Sequence, residues 1–241
     1  MARYFLEVAY RGTNYSGYQA QENAPTIQAA LERALEILHR EKFELTGSSR
    51  TDAGVHANQN FFHFDRTEAL HPQAVYKLNA ILPGDVVVKR LYEVPAEAHC
   101  RFDAVARSYA YYVYRSKDPF LADRAFYFPY TIDLDRMQAA AKMLMDYNDF
   151  TSFSKRNTQV KTFQCKIQQS EWVQHGETLI YRVRANRFLR GMVRALVSTM
   201  LLVGREKITL GEFKDIISVK DCTRASFVAP AHGLFLMEVG Y

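Results

Sequence analysis

The chain switches between two hydrophobic periods and then does so again. Residues 3–10 alternate and are rich in Tyr, Phe and Val, the period-two pattern of a strand. Ile27, Leu31, Ala34, Leu35 and Leu38 then recur at three or four residues, which predicts a helix opened by Pro25-Thr26. Short strands are expected at 43–46, 58–64 and 86–92, with a helix over 71–82 stopped by Pro83-Gly84. A related order begins again near residue 105. It runs as a tyrosine-rich strand over 105–115, a helix over 133–145, and strands over 166–173 and 179–185. Helices over 188–203 and 210–217 and a strand over 234–239 complete it. Each half mixes elements in a β-α-β-β-α-β-like way, so the class is α+β. Two similar halves are expected, residues 1–103 and 104–241, with Pro95-Ala96-Glu97-Ala98 as the linker candidate.

Composition narrows the class of partner. Of 241 residues 48% are apolar, enough for a full core. The formal net charge is +5 and the pI about 9.0, which favours a polyanionic partner, nucleic acid before membrane. Cys100, Cys165 and Cys222 are odd in number and far apart. That pattern is neither a disulfide framework nor a zinc finger, and it suits a reducing cytoplasm. Glu7 cuts the N-terminal apolar run too early for a signal peptide. The longest apolar helix candidate, 195–203, is too short to span a bilayer.

Three segments hold the residues that can carry chemistry. The first is Gly47-Ser48-Ser49-Arg50-Thr51-Asp52-Ala53-Gly54-Val55-His56-Ala57, between two apolar runs. A carboxylate near a guanidinium stays ionised, and an ionised carboxylate can act as nucleophile or base. On spacing alone the segment reads first as a strand-to-strand turn, since Asp and Gly favour turns. The second is Arg107-Ser108-Tyr109-Ala110-Tyr111-Tyr112-Val113-Tyr114-Arg115. Its interleaved arginines and tyrosines suit single-stranded nucleic acid, or form an ordinary aromatic strand. The third holds five arginines, Arg182, Arg184, Arg187, Arg190 and Arg194, with no acidic residue between Tyr181 and Val203. Arg182 and Arg184 fall on one strand face, and Arg187, Arg190 and Arg194 are spaced for one helix face. This is an anion-binding footprint, or a solvated basic face.

Other chemistries find less support in the residues, which leave a Ser-His-Asp triad open. His56, His63 and Asp52 lack a recognisable metal-ligand spacing. No Gly-rich phosphate loop and no Gly-x-Ser-x-Gly occurs.

Taken together, the segments resemble the TruA-type tRNA pseudouridine synthases. Arg50-Thr51-Asp52-Ala53-Gly54-Val55-His56-Ala57 is similar to that family's catalytic motif. Other matching blocks follow in order: Tyr10-Arg11-Gly12, Tyr15-Ser16-Gly17-Tyr18-Gln19, Asn79-Ala80-Ile81-Leu82-Pro83-Gly84-Asp85, and His99-Cys100-Arg101-Phe102-Asp103-Ala104. Tyr109-Ala110-Tyr111, Asp149-Phe150-Thr151-Ser152-Phe153, Asn186-Arg187-Phe188 and Met192-Val193-Arg194 complete the match. Three positions depart from the family pattern. Tyr18 stands in place of the usual tryptophan, Ser49 in place of glycine, and Arg187 in place of a small residue.

The resemblance implies isomerisation of uridine to pseudouridine at positions 38–40 of the tRNA anticodon arm, without a metal or other cofactor. It implies the pseudouridine synthase fold, two α+β halves around a central antiparallel sheet with a cleft between them, in a cytoplasmic homodimer. Asp52 takes the place of the essential carboxylate. Arg50 matches an arginine that holds the flipped nucleotide, and Tyr109 a tyrosine that stacks on the target base. Arg194 is the candidate salt-bridge partner of Asp52. Arg187 and Arg190 are expected to contact phosphates. Charge and aromatic residues by themselves also fit a non-catalytic RNA-binding module. A carboxylate alone also fits an N-glycosidase.

Overall fold

The first strand, β1 (Ala2–Tyr10), is buried from Tyr4 through Val8. A strand covered on both faces belongs in the middle of a sheet, and β1 pairs antiparallel with β3 (His56–Arg66) and β4 (Val86–Val94). The computed structural model describes residues 1–156, 158 and 160–241. The chain forms two compact units, residues 1–105 with 235–241, and residues 106–234.

In the first unit the order is β1, α1 (Ile27–His39), β2 (Thr46–Gly47), β3, α2 (Ala74–Ile81) and β4. The expected β-α-β-β-α-β order is present. Thr26 caps α1 by accepting from the Ala29 N–H at 3.3 Å. The apolar stripe of α1 buries Ile27, Leu31, Ala34 and Leu35. The strand expected at 43–46 is only the pair Thr46–Gly47 on β3, opposite Phe62 and His63. Residues 43–45 do not join it; the Leu45 N–H instead bonds the Glu32 carboxylate of α1 at 2.9 Å. The terminal strand β9 (Leu234–Gly240) runs parallel to β3 through His56 and Ala57.

In the second unit β5 (Ala106–Tyr114), β8 (Thr178–Ala185) and β7 (Ile167–His175) form an antiparallel sheet. The short β6 (Phe126–Tyr127) adds parallel to β5. The helices α3 (Leu134–Met143), α4 (Met192–Gly204) and α5 (Leu210–Ser218) pack on one another. Nearly every residue of α4 is buried, as expected of a helix that is apolar all round. Thr209 and Glu212 form a reciprocal capping box at the start of α5. The strand pairings within each unit are therefore mostly antiparallel, and each unit carries helices, a mixed α+β architecture. No helix among the described residues is long and apolar enough to cross a membrane.

Candidate active site

The Arg-Thr-Asp loop lies in the first unit and connects β2 to β3. Its burial alternates with its sequence. Ser48, Ser49, Thr51 and Val55 are buried, Arg50 and Ala53 are exposed, and Asp52 is half-buried. The short polar anchors thus point inward, and the charged side chains keep access to solvent.

Backbone bonds tie this loop to the segment that follows β1. The Tyr18 N–H donates to the Thr51 carbonyl at 3.1 Å, and the Gly54 N–H to the Tyr15 carbonyl at 3.3 Å. The Val55 N–H closes a turn on the Asp52 carbonyl at 3.1 Å, with Gly54 at φ 77° in its third position. Positive φ at that position is the mark of a type II turn. At the loop's end His56 is 1% exposed and stacks on Phe235 of β9, ring centroids 4.5 Å apart.

Asp85 holds the segment that holds the loop. Its carboxylate accepts from the Tyr15 hydroxyl at 2.7 Å and the Asn14 amide at 3.2 Å. Its carbonyl accepts from the Arg11 N–H at 2.9 Å. Asn79 in turn bonds both backbone groups of Val88 at 2.8 Å. Two of the motifs read from the sequence are therefore scaffolding for a third. Tyr18, the residue found in place of tryptophan, is buried and stacks on Phe62 at 5.3 Å. Burial pushes its phenol up to about 12.

The second unit carries Tyr109, Arg187, Arg190 and Arg194. Tyr109 on β5 lies opposite Val183 of β8 and meets Phe188 edge-on at 5.0 Å. That contact ties the tyrosine strand to the basic connection after β8. Arg182 is exposed and Arg184 half-buried, alternating with buried Val183 as one strand face requires. Asn186 closes the end of the hairpin. Its side-chain oxygen accepts from the Lys166 N–H at 2.7 Å and the Arg187 N–H at 2.9 Å.

The expected helix over 188–203 is corrected by the structure. Arg187 and Arg190 lie in an irregular connection, and only Arg194 is on α4, which starts at Met192. The residue before it, Gly191, is left-handed at φ 74°, a conformation that cannot continue a right-handed helix. Leu189 is buried and the Met192 N–H bonds its carbonyl at 3.1 Å, so packing fixes the connection. The three arginines do not share a helix face. Arg194 donates from Nε to the Ala229 carbonyl at 2.7 Å. The Ser198 hydroxyl accepts from the Ala229 N–H at 2.8 Å and donates to the Arg194 carbonyl at 2.8 Å. This fixes the root of the guanidinium.

No group of three or more metal-ligating side chains occurs among the described residues. His63 packs in the core against His99 and Cys100. Sequence reasoning passed over Thr51 and Asp85 as contributors to the site. The only signal for them was their place inside or beside the quoted motifs.

The tRNA pseudouridine synthase family model matches residues 7–103 and 140–241. The chain is 45% identical to tRNA pseudouridine synthase A of Parabacteroides distasonis, over 100% of this chain and 96% of that one. It is 46% identical to tRNA pseudouridine synthase A of Bacteroides thetaiotaomicron, over 100% and 91%. It is 41% identical to tRNA pseudouridine synthase A of Anoxybacillus flavithermus, over 100% and 99%.

Proposed function

This chain belongs to the tRNA pseudouridine synthases, a family of isomerases, and from that premise we propose that it converts uridine to pseudouridine at positions 38–40 of the tRNA anticodon arm, with Asp52 as the nucleophilic carboxylate. The observation that carries the reading is how Asp52 is presented. It sits half-buried on a turn whose neighbours Thr51 and Val55 are buried anchors. A rigid frame around one accessible carboxylate is what a reaction at a positioned sugar needs.

The reaction conserves atoms. The bond from uracil N1 to ribose C1′ breaks, and a bond from C5 to C1′ forms. The C5 proton is released, and N1 carries a proton at the end. Asp52 serves this by attacking C1′, or by removing a sugar proton; both demand the ionised carboxylate. A uridine in a stem must leave the stack to meet it. Tyr109 stacks on the flipped base, Arg50 holds the nucleotide, and Arg194 supplies positive charge. Arg187 and Arg190 contact phosphates and set register. The same reading makes the enzyme a cytoplasmic homodimer. Light scattering on the purified chain tests the dimer, and a monomeric mass would overturn it.

Unmodified tRNA incubated with the protein should acquire carbodiimide-dependent primer-extension stops at positions 38–40. Asp52→Ala should abolish them while tRNA is still bound. Binding with no new pseudouridine in the wild type would favour a non-catalytic RNA-binding module. Release of free uracil would favour a glycosidase.

A further inference from the structure

Beneath the Asp52 loop lies a buried hydrogen-bond relay that the chemistry above does not use. Asn60 on β3 is fully buried. Its side-chain oxygen accepts from the Ser48 hydroxyl at 2.7 Å. Its amide donates to the Ser49 carbonyl at 3.0 Å and to the Tyr10 hydroxyl at 3.1 Å. Both amide protons and the carbonyl oxygen are thus engaged. The Tyr10 hydroxyl then meets the Thr51 hydroxyl at 2.8 Å. With Asn60 donating to it, Tyr10 can pass its own proton on to Thr51. Burial pushes the Tyr10 phenol up to about 12, so that proton is retained at neutral pH.

The relay grips the chain at three of the four residues ahead of Asp52. Ser48 is held by its hydroxyl, Ser49 by its carbonyl, and Thr51 by its hydroxyl. Thr51 is held twice, since its carbonyl also accepts from the Tyr18 N–H at 3.1 Å. With Thr51 pinned inward, the next residue is turned toward the open side. Arg50 and Asp52 flank the pinned residue on either side.

We infer that Tyr10, Asn60 and Thr51 are positioning residues for catalysis: their buried relay sets the direction of the Asp52 carboxylate without touching the substrate. The inference rests on the reading of Asp52 as the catalytic carboxylate. A displacement near 1 Å at a reacting group costs about 100-fold in rate. Loss of one hydroxyl in the relay therefore acts on turnover.

The test compares Tyr10→Phe, Thr51→Val and Thr51→Ser with wild type and with Asp52→Ala. Tyr10→Phe removes only the hydroxyl, and Thr51→Val keeps the shape while replacing the hydroxyl with a methyl group. Each should lower kcat about 10- to 100-fold, with KM and the Kd for tRNA changed by less than about twofold. Thr51→Ser keeps the hydroxyl and should restore kcat toward wild type. Thermal melts show that each variant is folded, and the two hydroxyl deletions are independent should one fail to fold. If Asp52→Ala is inactive while Tyr10→Phe or Thr51→Val, folded, retains wild-type kcat, the relay has no positioning role. If Asp52→Ala is itself active, the reading of Asp52 fails instead, and the positioning role falls with it.

Discussion

The Gly12 backbone N–H donates to the His56 Nδ1 at 3.1 Å. This bond joins the segment after β1 to the first residue of β3, where the Arg-Thr-Asp loop ends, 44 positions along the chain. It also fixes the ring's chemistry. Nδ1 accepts, so it carries no proton in this arrangement. His56 is therefore an anchor in the core, where it stacks on Phe235.

Such an approach leaves no room for a side chain on Gly12. A Cβ there would overlap the Val55 carbonyl oxygen. Backbone cannot swing away as the tip of a flexible side chain can. Gly12→Ala should cost about 1–3 kcal/mol of stability and reduce pseudouridine formation. Urea melts paired with the primer-extension assay check both effects. An unchanged melt would mean that the loop relaxes freely.

His63 sets an acid limit on stability. Burial first, then the neighbouring His99, pushes its imidazole down to about 4. Between about pH 6.5 and 4 the unfolded chain binds a proton that the folded chain refuses. His63 thus stabilises the fold fully above pH 6.5, and this contribution is lost as pH falls through that window. The loss amounts to about 3 kcal/mol. Urea melts at pH 7 and pH 4.5 should differ accordingly, and His63→Gln should shrink the difference.

Arg187 and Arg190 should act on affinity rather than turnover. Each phosphate contact releases counterions, so each lost contact flattens the salt dependence. Arg187→Ala and Arg190→Ala should each weaken tRNA binding. Each should also lower the slope of log Kd against log salt by about 1. Filter binding at several salt concentrations measures both. Wild-type affinity and slope in both variants would remove the connection after β8 from the tRNA interface.

Arg194 should not tolerate lysine. Its Nε is committed to the Ala229 carbonyl, which aims the planar fork. Lysine keeps the charge but has neither the fork nor a second attachment point. Arg194→Lys should lower kcat by about 10-fold or more. Single-turnover kinetics measures this, and full activity would show that charge alone suffices.

Local pattern carried much of this architecture. Period-two and period-3.6 runs marked nearly every strand and helix, because each element must turn its apolar face inward whatever its neighbours are. The start of α4 escaped that logic. The spacing of Arg187, Arg190 and Arg194 suits a helix, yet the helix begins only after a left-handed Gly191. Packing of Leu189 and of Phe188 against Tyr109 decided this, and periodicity does not encode it.

The sequence by itself determined the family, because a reaction needs particular functional groups and their motifs stay recognisable as letters. Tertiary structure alone decided what holds that loop. Tyr10 reaches Thr51 across 41 residues, and Asn60 reaches Tyr10 across 50. Neither pairing has a local signature. Tyr10 and Asn60 look like ordinary strand residues until β1 and β3 pair antiparallel and bring their side chains together. Hydrogen bonds require contact within about 3 Å, and only the folded register supplies it.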